Sequence, residues 1–124
     1  MAAVYLYLNA ALYLIFAVWM TLSPWTTAAS VGYEALSSSG RSEFLVIYGG
    51  LQLGLAVFYA LTASSRYSQR VGILFSVCLY APIVMYRAVT IARFWPVKSN
   101  MLIIGGLELV PLLAAVFLIL RADA

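Results

Sequence analysis

The chain alternates between long apolar runs and short polar breaks. Four runs cover approximately residues 4–22, 44–63, 71–92 and 101–120. Each approaches the roughly 20 residues that an α-helix needs to cross about 30 Å of hydrocarbon. Because the bilayer core offers no water to backbone polar groups, such runs cross it as helices. The pattern predicts an all-α polytopic membrane protein, with residues 1–124 forming a single four-transmembrane-helix bundle.

The longest polar break separates the first two runs. Residues 23–42 are rich in Ser and Thr and contain two glycines, which is typical of an interfacial loop. Two interpretations remain open for it. One is an irregular loop, and the other is a short helical turn around Val31, Tyr33 and Leu36 that lies on the membrane surface.

Polar and small residues recur at helical spacing, so each predicted helix has one face unlike the rest. These stripes comprise Tyr5, Asn9, Tyr13 and Phe16 in the first helix; Gly49, Gln52, Ala56 and Tyr59 in the second; Ser76, Tyr80, Ile83, Arg87 and Thr90 in the third; and Gly105, Glu108, Leu112 and Ala115 in the fourth. Burying the four stripes together predicts a bundle with a partly polar interior.

A short segment is repeated within the apolar runs. Gly-Gly-Leu-Gln-Leu at residues 49–53 recurs as Gly-Gly-Leu-Glu-Leu at residues 105–109. Both a duplicated two-helix hairpin and chance similarity account for this match. Small residues permit close helix contact, so the sequence predicts packing surfaces at five glycines: Gly49, Gly50, Gly54, Gly105 and Gly106.

Two charged residues fall at similar depth in the predicted bilayer. At a rise of about 1.5 Å per residue, Glu108 lies roughly 10 Å inside the fourth helix and Arg87 roughly 8 Å inside the third. Charges at such depth are costly and mark candidate functional sites. We predict an intramembrane ion pair that anchors a ligand or the fold, extended by Gln52 and Tyr80. The alternative is that Arg87 extends to the interface and Glu108 is protonated.

Composition narrows the chemistry. The chain is 65% apolar and 9% charged, far from the soluble norm of about 25% charged. A net charge of +3, scattered along the chain, argues against nucleic-acid binding. Histidine is absent and Cys78 stands alone, which argues against metal sites and disulfides. We expect Cys78 to be a small buried hydrophobe, and we expect neither catalytic residues, a metal nor enzyme activity.

Positive charges divide almost evenly between the two sides of the predicted bundle. Arg66 and Arg70 cluster in one short loop on the side of the termini, whereas Glu34 and Glu43 fall on the other side. By the positive-inside rule, this favours cytoplasmic termini. Arg41 and Glu43 are then candidates for ionic contacts at the outer face.

Residues 42–54, Ser-Glu-Phe-Leu-Val-Ile-Tyr-Gly-Gly-Leu-Gln-Leu-Gly, resemble the signature of an uncharacterised bacterial family of small four-helix membrane proteins related to the DoxX-like group. The family typically has an acid ahead of a Tyr-Gly-Gly-Leu segment, an arginine late in the third helix and a glutamate in the fourth. Glu43, Arg87 and Glu108 match these places. An arginine usual between the acid and the tyrosine is missing. The resemblance implies location in the bacterial inner membrane and a relationship to quinone-linked or respiratory accessory subunits.

Three function classes remain open. The first is a non-catalytic accessory or structural subunit of a membrane complex or homo-oligomer, which predicts a closed interior and an outward packing face. The second is a binder or carrier of a quinone or lipid, which predicts a cavity of several hundred Å³ ending near Arg87 and Glu108. The third is a proton-coupled small-molecule transporter with Glu108 as the proton site. Apart from a bound lipid or quinone, we expect no cofactor.

Overall fold

The computed structural model describes residues 1–122 and is helical through most of that range, with no strand in it. A π-helical segment at Val46–Leu51 connects two of the α-helices. The α-helices are α1 (Ala2–Leu22), α2 (Pro24–Ser30), α3 (Ser38–Leu45), α4 (Gln52–Ala63), α5 (Arg66–Arg93) and α6 (Ser99–Ala122). The predicted all-α fold class is confirmed.

Four continuous helices are long and apolar enough to cross a membrane, which indicates a multi-pass membrane protein. They are Ala2–Leu22, Ser38–Ala63, Arg66–Arg93 and Ser99–Ala122. The second of these spans consists of α3, the π-helical segment and α4 in succession. The helices extend past the predicted apolar runs because polar residues continue the helical backbone at several ends, as at Ser38 and Arg66.

The segment between the first two spans is more ordered than an irregular loop. Pro24 occupies the first turn of α2, where its fixed φ suits a helix start. Thr27 is buried, and its hydroxyl donates hydrogen bonds to the carbonyls of Ser23 (2.8 Å) and Pro24 (3.0 Å). Ser37 caps α3 by accepting from the Gly40 amide at 3.1 Å. The short helix thus lies ahead of the predicted turn, and the connection without regular helix shrinks to residues 31–37.

The spans pack as a bundle in which helices that follow one another along the chain are neighbours. α1 packs closely on α4, α4 on α5, and α5 on α6. α1 and α5 also meet across the bundle, whereas α1 touches α6 only slightly and α4 makes at most isolated contacts with α6. Of the two pairs of helices that face each other across the bundle, α1 and α5 are therefore in contact, whereas α4 and α6 are held apart.

Packing differs between the two ends of the bundle. The terminal end, which holds Met1 and the α4–α5 turn, contains the main core, where Leu6 and Tyr59 are fully buried. The loop end holds a smaller cluster of Met20, Ala28 and Phe44, to which α5 and α6 contribute nothing among the described residues. The α1–α4 and α5–α6 pairs therefore separate towards the loop end.

Two of the five predicted glycine packing surfaces accommodate a neighbouring helix within the described chain. A Cβ at Gly49 would lie 2.8 Å from Thr21 Oγ1, and one at Gly105 would lie 3.5 Å from Arg87 Cγ, so both glycines admit a neighbouring side chain. A Cβ at Gly50, Gly54 or Gly106 would meet nothing within 4 Å. These three glycines lie on outward faces of their helices, so within the described chain they contact no other helix, and a packing role for them stays a prediction.

The closest contact between helices at a glycine occurs at Gly72, which was not among the predicted packing glycines. A Cβ at Gly72 of α5 would lie 2.6 Å from Thr62 Oγ1 and 2.9 Å from Leu6 Cδ2. Gly72 is therefore the point where α1, α4 and α5 converge. Gly72 follows Val71 at the start of an apolar run and belongs to neither copy of the repeat, so no pattern in the chain marked it.

Candidate functional site

A cavity of about 560 Å³ lies between the helix pairs that separate towards the loop end. All four spans and the 31–33 segment contribute to its wall, and it is partly open to the surroundings. Most of the lining is aliphatic or aromatic. Its polar side chains are Tyr13, Tyr33, Tyr48, Gln52, Tyr80, Arg87 and Glu108. All four predicted stripes therefore reach this cavity with at least one polar side chain.

Arg87 and Glu108 meet at the wall of this cavity in a bidentate ion pair. Arg87 Nε donates to Glu108 Oε2 at 2.8 Å, and Arg87 Nη2 donates to Oε1 at 2.6 Å. Their side chains are 28% and 17% exposed, so the pair is largely removed from the surface. The missing side chain of Gly105, one turn before Glu108, leaves room for the aliphatic part of Arg87. This pairing matches the geometry expected from helix depth.

The prediction that Tyr80 extends the ion pair is wrong. Gln52 shares the cavity with the pair. The Tyr80 hydroxyl donates to Asn9 Oδ1 at 2.7 Å, away from the carboxylate. It turns towards α1 because α1 and α5 approach each other across the bundle. Gln52 lines the same cavity from α4.

Buried polar contacts lie in the main core, towards the terminal end of the bundle. Asn9 Nδ2 donates to the Tyr5 carbonyl at 2.9 Å, and the Tyr5 hydroxyl donates to the Pro111 carbonyl at 2.9 Å. The Tyr59 hydroxyl lies 2.9 Å from Ser76 Oγ, also buried. These contacts join α1 to α6 and α4 to α5. In a medium without water, such bonds satisfy groups that otherwise cost free energy.

Stacked aromatic rings connect this core to the cavity, because Tyr13 and Tyr80 belong to the core and also line the cavity. Tyr13 stacks on Tyr59 with ring centroids 5.7 Å apart and planes 6° from parallel. It also stacks on Tyr80 at 6.5 Å. Helical spacing had placed Tyr13 on the inward face of α1, but it did not reveal which rings would meet. The stack and the Asn9 contact are the parts of the site that sequence reasoning missed.

Replacing Tyr80 with Phe is expected to lower the free energy of unfolding by about 1–2 kcal/mol, because it leaves Asn9 Oδ1 buried without its donor. Tyr86→Phe is the matched control, since Tyr86 lies on the same helix and is 74% exposed. Unfolding of both variants in mixed detergent micelles, followed by circular dichroism, measures the difference. Equal stability of the two variants would contradict the role given to the Tyr80 hydroxyl.

The π-helical segment supplies one wall of the cavity. Val46–Leu51 contains the first Gly-Gly-Leu copy, and Ile47, Tyr48 and Leu51 from it line the cavity. The second copy is regular α-helix within α6. The equivalent residues Gln52 and Glu108 both line the cavity, although their local backbones differ. π-helical turns occur frequently at functional sites, and no feature of the sequence had indicated one here.

The remaining predicted residues lie apart from the site. Arg41 and Glu43 are both exposed in α3, and the Arg41 guanidinium lies 4.8 Å above the ring of Trp25. Positions two apart on a helix point in different directions, so Arg41 and Glu43 do not face each other. Cys78 is exposed, so the expectation that it is buried is wrong.

Of the residues matched to the DoxX-like pattern, the structure brings Arg87 and Glu108 together and leaves Glu43 outside the cavity. Within residues 1–122, no three His, Cys, Asp or Glu side chains come together as a metal-binding group. No protein-family model, curated protein or solved structure matches the chain.

Proposed function

We propose that this protein binds a lipophilic small molecule in the cavity between its helix pairs. The observation that carries the proposal is the cavity of about 560 Å³ with the Arg87–Glu108 pair in its wall. Ligand sites typically occupy about 300–1,000 Å³ and combine apolar walls with a few convergent polar groups. The protein is then a non-catalytic binder or carrier.

The position of the cavity between four apolar, membrane-spanning helices supports a lipophilic ligand. The cavity lies where α1 and α6 barely touch and where α4 and α6 make at most isolated contacts. Its aliphatic lining would hold a tail, and the polar residues Gln52, Arg87 and Glu108 would contact a head group. A water-soluble ligand would gain little from walls of this composition.

Mass spectrometry of the full chain, extracted gently from native membranes, tests the proposal. We expect a lipophilic molecule to remain bound to the native chain. Ile104→Trp, which places a large side chain in the cavity, should reduce its occupancy at least about fivefold, a loss of about 1 kcal/mol in affinity. Ile103→Trp is the control, because Ile103 is the preceding residue of α6 and points outward, 62% exposed. Equal occupancy in both variants, or no bound molecule, contradicts the proposal.

An accessory or structural subunit is the second candidate. Gly50 and Gly54 form a GxxxG pair on an outward face with no side chain within 4 Å of either Cβ position. In membranes such faces favour close contact with another helix. The same spectra distinguish this function, because a second copy of the chain or a different protein would remain bound instead of a small molecule.

We also propose that the protein lies in a bacterial cytoplasmic membrane, with both termini in the cytoplasm and a relationship to the DoxX-like group. Arg66 and Arg70, exposed at the terminal end beside the α4–α5 turn, support this orientation.

A proton-coupled transporter ranks below these functions, because both Glu108 oxygens accept hydrogen bonds from Arg87.

A further inference from the structure

The cavity lining carries equal and opposite charge. Arg87 and Glu108 are the charged residues among the lining side chains of the described chain, and the others are apolar or neutral polar groups. They face each other at 2.6 Å, so each neutralises the other. A ligand with a full charge would leave water and find no unmatched opposite charge in the cavity, which is costly in a medium of low dielectric constant. The lining therefore favours a neutral head group.

The same ion pair leaves hydrogen-bond donors available. Arg87 uses Nε and Nη2 to bind the carboxylate, so its Nη1 group remains. Arg87 Nη1 donates to Met101 Sδ at 3.9 Å. A thioether is a weak acceptor, whereas a guanidinium is a strong donor and cannot accept. An oxygen atom from a ligand would be a better partner than the sulfur.

We propose that the ligand is a neutral lipophile whose carbonyl oxygen, from an ester, ketone or quinone, accepts a hydrogen bond from Arg87 Nη1 in place of Met101. Glu108 fixes the guanidinium and cancels its charge, which makes the site selective against anionic lipids. Gln52, in the same lining, offers amide donors to a second oxygen. This inference rests on the proposed binding function and names the chemistry of the ligand.

A set of probes with one hydrocarbon chain tests the charge and the carbonyl separately. The probes are methyl hexadecanoate (neutral ester), hexadecanesulfonate (anion), hexadecyltrimethylammonium (cation) and hexadecane (no head group). Each is added to the purified full chain in a neutral detergent, and the rise in midpoint temperature of unfolding reports binding. We expect the ester to bind more than about tenfold tighter than either ion. We also expect it to bind at least about fivefold tighter than hexadecane, as one hydrogen bond to a charged group predicts.

Glu108→Gln tests the origin of the selectivity. This nearly isosteric change removes the charge that neutralises Arg87, so the sulfonate should gain at least about tenfold relative to the ester. Equal binding of sulfonate and ester to the native chain, or an unchanged ratio in Glu108→Gln, would overturn the inference. In that event the binding function still stands if Ile104→Trp abolishes the signal. The binding function itself would be overturned if no probe shows binding that Ile104→Trp abolishes.

A second variant covers the case in which Glu108→Gln does not fold. The double substitution Arg87→Gln with Glu108→Gln keeps the cavity neutral and retains side chains able to hydrogen-bond each other, but it removes the guanidinium. The ester should then lose most of its advantage over hexadecane, and the sulfonate should gain nothing. An ester preference that survives unchanged in the double variant contradicts the donor role of Arg87.

Discussion

Arg87→Met is expected to lower the free energy of unfolding by about 2–4 kcal/mol, and Glu108→Gln by a similar amount, because each leaves a charged or strongly polar partner uncompensated in an apolar setting. The double variant should lose at least about 1 kcal/mol less than the sum of the single losses. This is among the largest effects expected for the molecule, since two short bidentate hydrogen bonds join the pair.

Equilibrium unfolding of the four proteins in mixed micelles measures this coupling. Arg93→Met is the matched control, because Arg93 is an exposed residue at the end of the same helix. Its loss should stay within about 0.5 kcal/mol, as for most surface substitutions. Strictly additive losses at Arg87 and Glu108 would show that the pair contributes no coupling energy and that each side chain acts on its own.

The ion pair was predictable because it depends on little more than position along the chain. α5 and α6 are consecutive, antiparallel spans, so depth alone brings Arg87 opposite Glu108. Hydropathy likewise sets the number of spans. The Asn9–Tyr80 contact joins helices that are not consecutive, and it requires the rotation of each helix about its axis. Helical spacing identified the inward faces, but the partners follow only from three-dimensional packing.

The sequence predicted a cavity near Arg87 and Glu108 for only one of the three function classes, and it could not show whether the helices would separate to form it. It lies where the α1–α4 and α5–α6 pairs separate towards the loop end, and the π-helical segment Val46–Leu51 supplies one of its walls. The two Gly-Gly-Leu copies show how weakly the local sequence encodes that backbone, since residues 49–51 are π-helical whereas the identical residues 105–107 are α-helical. Their tertiary neighbours differ as well, since Gly49 lies against Thr21 of α1 and Gly105 lies against Arg87 of α5.

The sequence likewise does not show which glycines lie at close helix contacts, and Gly72 allows the importance of one such contact to be measured. Gly72→Ala is expected to lower the free energy of unfolding by about 2–3 kcal/mol through overpacking. The added Cβ would lie 2.6 Å from Thr62 Oγ1, and this oxygen cannot easily move. It donates to the carbonyls of Phe58 at 3.0 Å and Tyr59 at 3.1 Å, so a change of rotamer would break both bonds. The added methyl group must therefore push α5 away from α4.

Gly106→Ala is the matched control, because a Cβ there meets nothing within 4 Å, and its effect should stay within about 0.5 kcal/mol. Thr62→Ala combined with Gly72→Ala should recover part of the loss by removing the nearest atom. Recovery should be incomplete, since Thr62 Cβ remains 3.0 Å from the added atom. The unfolding midpoints of these variants, compared with that of the native chain, measure the cost of the added methyl group. If Gly72→Ala behaves like Gly106→Ala, then the convergence of α1, α4 and α5 at Gly72 does not control the stability of the bundle, and the separation of the helix pairs that opens the cavity must be set elsewhere.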